Sequence, residues 1–148
     1  MDSTPLHLIL ADDDESDRLI FTEAFEELKI KTIVHTVNDG VELMKYLAGT
    51  ENALPHLLFL DLNMPRKNGL ECLKEIRGNE KLKDISIAIY STSASEKDIE
   101  ETFRNGANAY IKKPSSFSIL KKMLEKAVLG AHQFQQQHSA KENFLLQL

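Results

Sequence analysis

The stretch "FLDLNMPRKNG", Phe59 to Gly69, decides how this chain is read. An apolar run, Leu57 to Leu60, stops at a single carboxylate, Asp61, and a turn built from Asn63, Pro65, Asn68 and Gly69 follows. A short continuous apolar run bounded by turn residues fits a strand buried on both faces, as in a parallel sheet. Such a strand presents its terminal acid at the carboxyl end of the sheet. There Asp61 is a turn residue, a helix cap or a reactive group on display.

Four further runs resemble the first: Leu6 to Ala11, Lys31 to Val37, Ile85 to Ser91 and Ala109 to Lys113. Helical spacing fills the gaps. Phe21, Ala24, Phe25 and Leu28 form one stripe, and Leu43, Met44 and Leu47 a second. Leu70, Leu73 and Ile76 follow Gly69, and Ile99 and Phe103 precede Gly106, a residue suited to the left-handed position past a helix end. Leu120, Met123, Leu124 and Ala127 mark the last stripe, capped by Ser115 or Ser116. Strand and helix alternate five times. This predicts an α/β fold, a doubly wound five-stranded parallel sheet flanked by helices on both faces. Sheets of this kind bind ligands at the carboxyl ends of their strands, where the winding reverses.

Composition narrows the function classes. The 148 residues suit one domain, with 42% hydrophobic and 28% charged residues. A net charge of -5 without a Lys/Arg cluster offers no footprint for nucleic acid. No apolar stretch approaches the roughly 20 residues that span a bilayer, and the acidic start "MDSTPLHLILADDD" lacks the features of a signal peptide. Cys72 is the only cysteine, which excludes an internal disulfide and a cysteine-cluster metal site. The expectation is a cytoplasmic protein. Residues 131 to 148, "AHQFQQQHSAKENFLLQL", read as a tail. Phe144, Leu145, Leu146 and Leu148 make it sticky. It is either a partly disordered terminus or a helical extension used for docking or dimerisation.

The other strand ends carry chemistry too. The first ends in "ADDDES". Capping by Asp14 or Ser16 explains one polar residue of this run, but three adjacent acids repel one another. A divalent cation such as Mg2+, which binds one or two carboxylates and keeps several waters, accounts for the rest. The fourth strand ends in "YSTSAS", a hydroxyl run from Ser91, and the fifth in "IKKP", with Lys113 before Pro114. Each residue alone has an ordinary reading as a solvated or capping group. Together at successive strand ends they suit a phosphoryl group on Asp61, carried as an acyl phosphate and neutralised by metal and lysine.

In "LADDD", "LDLNMPRKNG", "YSTSAS" and "NAYIKKP", in that order, the chain resembles the receiver domain of two-component response regulators, the group that includes the chemotaxis regulator. The resemblance covers roughly residues 5 to 129, leaving 130 to 148 as tail or extension, and the flavodoxin-like fold it implies is the one read above. It implies that Asp61 is the phosphoacceptor for the phosphohistidine of a sensor histidine kinase. It implies Asp13 as direct Mg2+ ligand, Asp12 as the neighbouring acid acting through water, Asp61 as a third ligand and Asn63 as a backbone-carbonyl ligand. Lys113 resembles the lysine that pairs with the acceptor and then with the phosphoryl group, followed in the family by a bond that is usually cis. Ser91, a position often filled by threonine, resembles the hydroxyl that moves to the phosphoryl oxygen. Tyr110 resembles the aromatic that swings inward in response.

The family's usual output module is missing, so a stand-alone regulator is expected. Its output would be a protein contact through the fourth helix, fifth strand and fifth helix, with a homodimer possible. It would catalyse only its own phosphorylation and dephosphorylation. A Mg2+-dependent phosphatase with an aspartyl intermediate would want an acid two residues after the nucleophile, where this chain has Asn63. A binding module that signals without phosphorylation would not need the complete acceptor set.

Overall fold

The computed structural model describes residues 4–49, 53–136 and 144–146, with side chains in all of these except 131–136. Half of the predicted tail, residues 137–143 and 147–148 with Leu148 among them, lies outside the described residues. The elements alternate as β1 (Leu6–Ala11), α1 (Glu15–Glu27), β2 (Thr32–Val37), α2 (Gly40–Ala48), β3 (Leu57–Leu60), α3 (Gly69–Arg77), β4 (Ser86–Ser91), α4 (Glu96–Arg104), β5 (Ala109–Lys112) and α5 (Phe117–Gln136). The strands form one parallel sheet in the order β2-β1-β3-β4-β5.

Alternation of side chains across the strands builds two cores. Ile9, Ala11, Leu58, Leu60, Ile87 and Ile89 face α2 and α3, packing with Leu43, Leu47, Cys72, Leu73 and Ile76. Leu8, Leu10, Leu57, Phe59, Ala88 and Tyr90 face α1 and α5, packing with Phe21, Phe25, Leu120, Met123 and Leu124. Every residue of β3 and β4 is buried, which is why β3 and the interior of β4, Ile87 to Tyr90, run apolar. The chain steps outward from β1 to β2, then returns to β3. The winding therefore reverses between β1 and β3, and a crevice opens beyond their carboxyl ends.

Helix ends follow local chemistry. Asp14, not Ser16, caps α1, its carboxylate accepting from the Asp17 amide at 2.9 Å. Asn68 and Glu71 form a reciprocal capping box on α3. Ser116 precedes α5, its carbonyl accepting from the Leu120 amide at 2.9 Å. Gly106, just past α4, has φ +96, the left-handed backbone that favours glycine. One expectation is corrected. The Lys113–Pro114 bond is trans, because no cis peptide bond occurs among the described residues. Trans is the cheaper isomer of an X–Pro bond by about 0.5–1 kcal/mol, and from it Lys113 still reaches the carboxylates described below.

Candidate functional site

Asp61 leaves the end of β3 almost fully buried, 5% exposed. Its main-chain amide still belongs to the sheet, donating to the Ala11 carbonyl at 3.0 Å. The turn that follows is drawn tight. The Gly69 amide donates to the Leu62 carbonyl at 3.0 Å, and a Cβ on Gly69 would lie 2.2 Å from the Asp61 carbonyl oxygen. Glycine at this position lets α3 start directly against the residue that carries the acid. The Asn63 amide donates to Asp61 Oδ1 at 3.2 Å, so the turn fixes one carboxylate oxygen.

Asp12, at the end of β1, is completely buried. Its Oδ1 accepts from the Asp14 amide at 2.9 Å. Its Oδ2 lies 2.7 Å from Lys113 Nζ, so among the described residues the lysine is the one charged partner of this buried oxygen. Asp13 is exposed beside it. Ligand atoms of Asp12, Asp13 and Asp61 all lie within 4.8 Å of one another. A cluster of three carboxylates, two of them buried, fits a hard divalent cation, which takes oxygen ligands and would offset the mutual repulsion of the acids.

Lys113 reaches the crevice from just past β5. Its Nζ lies 2.8 Å from Asp17 Oδ2 and 3.3 Å from Asp61 Oδ2, and 5.2 Å above the centre of the Tyr90 ring. Burial alone would depress the ammonium, but Asp12, Asp17 and Asp61 outweigh it and hold Lys113 well above the ordinary lysine range. Burial pushes Asp61 up to about 6, with Asp12 adding to the rise and Lys113 opposing it. Asp12 is raised for the same first reason, burial. The acids thus repel one another around the shared Lys113 ammonium, and a second positive charge would lower Asp12 and Asp61.

Ser91 ends β4 fully buried. Its Oγ accepts from the Ser93 amide at 3.2 Å. The Ser93 carbonyl in turn accepts from the Tyr110 hydroxyl at 2.7 Å, and Ser93 Oγ donates to Asp98 at the start of α4. Tyr110 is completely buried in β5, so its ring is already turned inward. The residues singled out from the sequence therefore fall into two groups. Asp12, Asp13, Asp61 and Lys113 converge at the crevice with Asn63 on its rim, while Ser91 and Tyr110 are joined through Ser93 along the neighbouring strands.

Sequence reasoning missed Asp17 and Tyr90. Asp17 lies three residues after the cap Asp14, in the first turn of α1, where an acid reads as a partner of the helix dipole. Its contact with Lys113, 96 residues away, has no local signal. Tyr90 was hidden inside an apolar strand.

Comparison with known proteins agrees with this geometry. The family model of the response regulator receiver domain matches residues 8–125. Response regulator Rcp1 of Synechocystis sp. is 34% identical over 128 residues, covering 82% of this chain and 85% of its own. Its Mn(2+)-bound crystal structure superposes with a TM-score of 0.76 at 30% identity, covering 83% of this chain and 91% of that one. Chemotaxis protein CheY1 of Helicobacter pylori is 31% identical over 127 residues, covering 86% of this chain and 99% of its own. The phosphorylated cyanobacterial phytochrome response regulator RcpA superposes with a TM-score of 0.80 at 32% identity, covering 87% of this chain and 95% of that one.

Proposed function

The chain belongs to the response regulator receiver domain family of two-component signalling, and on that premise we propose that Asp61 accepts a phosphoryl group from the phosphohistidine of a sensor histidine kinase. The observation that carries this reading is the convergence of Asp12, Asp13 and Asp61 within 4.8 Å around one crevice that also holds the Lys113 ammonium.

In the step, a carboxylate oxygen of Asp61 attacks phosphorus in line with the departing imidazole nitrogen. The P–O bond forms as the P–N bond breaks, and the imidazole nitrogen keeps the electron pair and leaves as neutral histidine, the proton already on its other ring nitrogen. Lys113, now 3.3 Å from Asp61 Oδ2, follows the charge onto a phosphoryl oxygen. The Ser91 hydroxyl donates to another. Asp12 and Asp13, with Asp61 and the Asn63 carbonyl, would hold Mg2+, which supplies positive charge against the oxygens of the transferring group. The Mn(2+)-bound structure of Rcp1 supports a divalent ion here. Water later attacks the acyl phosphate, releasing inorganic phosphate and returning Asp61 to a carboxylate, so the chain catalyses its own phosphorylation and dephosphorylation. The product charge biases a conformational equilibrium that a downstream protein reads on the α4–β5–α5 face.

Phosphotransfer profiling tests the proposal and finds the donor. The chain is mixed with each radiolabelled histidine kinase of the same organism, with and without Mg2+. One kinase is expected to lose its label rapidly to this chain, in a Mg2+-dependent manner. Transfer from none of them, together with no uptake from acetyl phosphate, would count against it.

A further inference from the structure

β5 is an edge strand, with β4 on one side only. An edge exposes unpaired main-chain groups that a protein must cover or charge. Here part of it is covered by the chain's own end. Leu145 bridges Tyr110 in parallel, and the Leu146 amide donates to the Tyr110 carbonyl at 2.9 Å. Phe144 is completely buried. Its ring meets Phe103 of α4 edge-on at 5.3 Å and Tyr110 at 6.0 Å between centroids. Leu145 packs with the α2/α3 core and Leu146 with the α1/α5 core, so the segment closes both layers at once.

We infer that Phe144–Leu146 is a tethered ligand of its own chain, and that the β5 edge is a peptide-docking site for an extended segment that leads with an aromatic and continues with leucines. The recognition is strand addition: main-chain pairing supplies part of the affinity, and the ring pocket between Phe103 and Tyr110 supplies the selectivity. The occupant in the free protein is the segment of the same molecule. Residues 136 and 144 are eight apart, a span of up to about 27 Å when extended. Tyr110 links the segment to the end of β4, because its hydroxyl holds the Ser93 carbonyl while its ring and carbonyl hold the tail. A downstream protein that uses this face must displace the segment, a consequence that rests on the output surface proposed above. The docking itself is independent of phosphorylation.

The test uses the full chain without a phosphoryl donor. Hydrogen exchange at the Leu146 amide is followed across a hundredfold range of protein concentration. It is expected to be slowed about tenfold or more relative to an unstructured peptide, and equally at all concentrations. Exchange at the unstructured rate overturns the proposal. Protection that grows with concentration also overturns it, since the occupant is then a second copy. A synthetic peptide of residues 141–148, KENFLLQL, is then titrated onto the wild type, Phe144→Ala and Leu146→Pro. Leu146→Pro removes the donor without touching the ring pocket, in case Phe144→Ala disturbs folding. The peptide is expected to bind either variant about tenfold more tightly than the wild type, whose site is filled. Equal binding to all three overturns the proposal.

Discussion

At the scale of single residues, the crevice stores electrostatic cost that the function uses. Asp61 stands at about 6, above an ordinary 3.8, because burial disfavours its charge. The folded chain therefore binds that proton more tightly than the unfolded chain does. The corresponding stability is fully present below pH about 4 and is lost as pH rises through about 6, so the ionised acid destabilises the fold at pH 7.5 by about 1–3 kcal/mol. Asp61→Asn should then raise stability by that amount at pH 7.5 in the absence of divalent ions, and by much less at pH 4.5. Urea titrations at the two pH values measure it, and an equal gain at both would contradict the burial argument. Asp17 makes a separate prediction. It stands nearer to Lys113 than Asp61 does, at 2.8 Å against 3.3 Å. Asp17→Asn should leave the ammonium more fully to Asp61 and so favour its ionised form. The acid limb of the phosphorylation rate with acetyl phosphate should shift to lower pH, by less than about one unit. A limb that stays in place would show that Asp17 does not share the lysine.

At the scale of elements, two glycines hold the geometry. Gly69 lets α3 begin against the carbonyl of Asp61, with no room for a methyl group. Gly69→Ala should cost about 2–4 kcal/mol in urea denaturation, as overpacking against main chain cannot be relieved by a rotamer change. Gly106→Ala, at φ +96, should cost about 1–2 kcal/mol, chiefly through backbone strain, with the added Cβ also 3.1 Å from Arg77 Nε. If Gly69→Ala proves as mild as a surface change, the loop that positions Asp61 is softer than described. The elements also connect the crevice to the edge of the sheet. Ser91, Ser93 and Tyr110 form a chain of contacts from the end of β4 to the tail segment on β5. Each contact in it is a single hydrogen bond or ring contact, so small shifts at Ser91 have a path to the outer face.

At the scale of the molecule, the sheet brings together acids from the end of β1, an acid from the end of β3 and a lysine from just past β5, three sites far apart in sequence. Much of that was legible. Continuous apolar runs betrayed the buried strands, and their terminal residues gave the crevice, because a parallel sheet places all its carboxyl ends together. Asp14 against Ser16 as cap was not legible, since both are good capping residues and only the path of the chain decides. The contact of Asp17 with Lys113 was invisible for the same reason that Phe144 was ambiguous. Each depends on packing between segments far apart in sequence, which no local period records. The inward Tyr110 was expected only as a response to phosphorylation, yet it is inward here with Phe144 packed against it. A further prediction belongs to this scale. Mg2+ should raise the melting temperature of the whole domain at pH 7.5 by offsetting repulsion among Asp12, Asp13 and Asp61, and the rise should fall by more than half in Asp13→Asn. An equal rise in both would place the ion elsewhere.

The central claim is that Asp61 is the acceptor, and one measurement addresses it most directly. The chain is incubated with acetyl phosphate and Mg2+, and its intact mass is followed beside that of Asp61→Asn, with peptide mapping of the modified wild type. The account predicts a gain of one phosphoryl group in the wild type, located on Asp61, abolished by a chelator and absent from Asp61→Asn. Undiminished uptake by Asp61→Asn, or a phosphoryl group mapped to another residue, would contradict it.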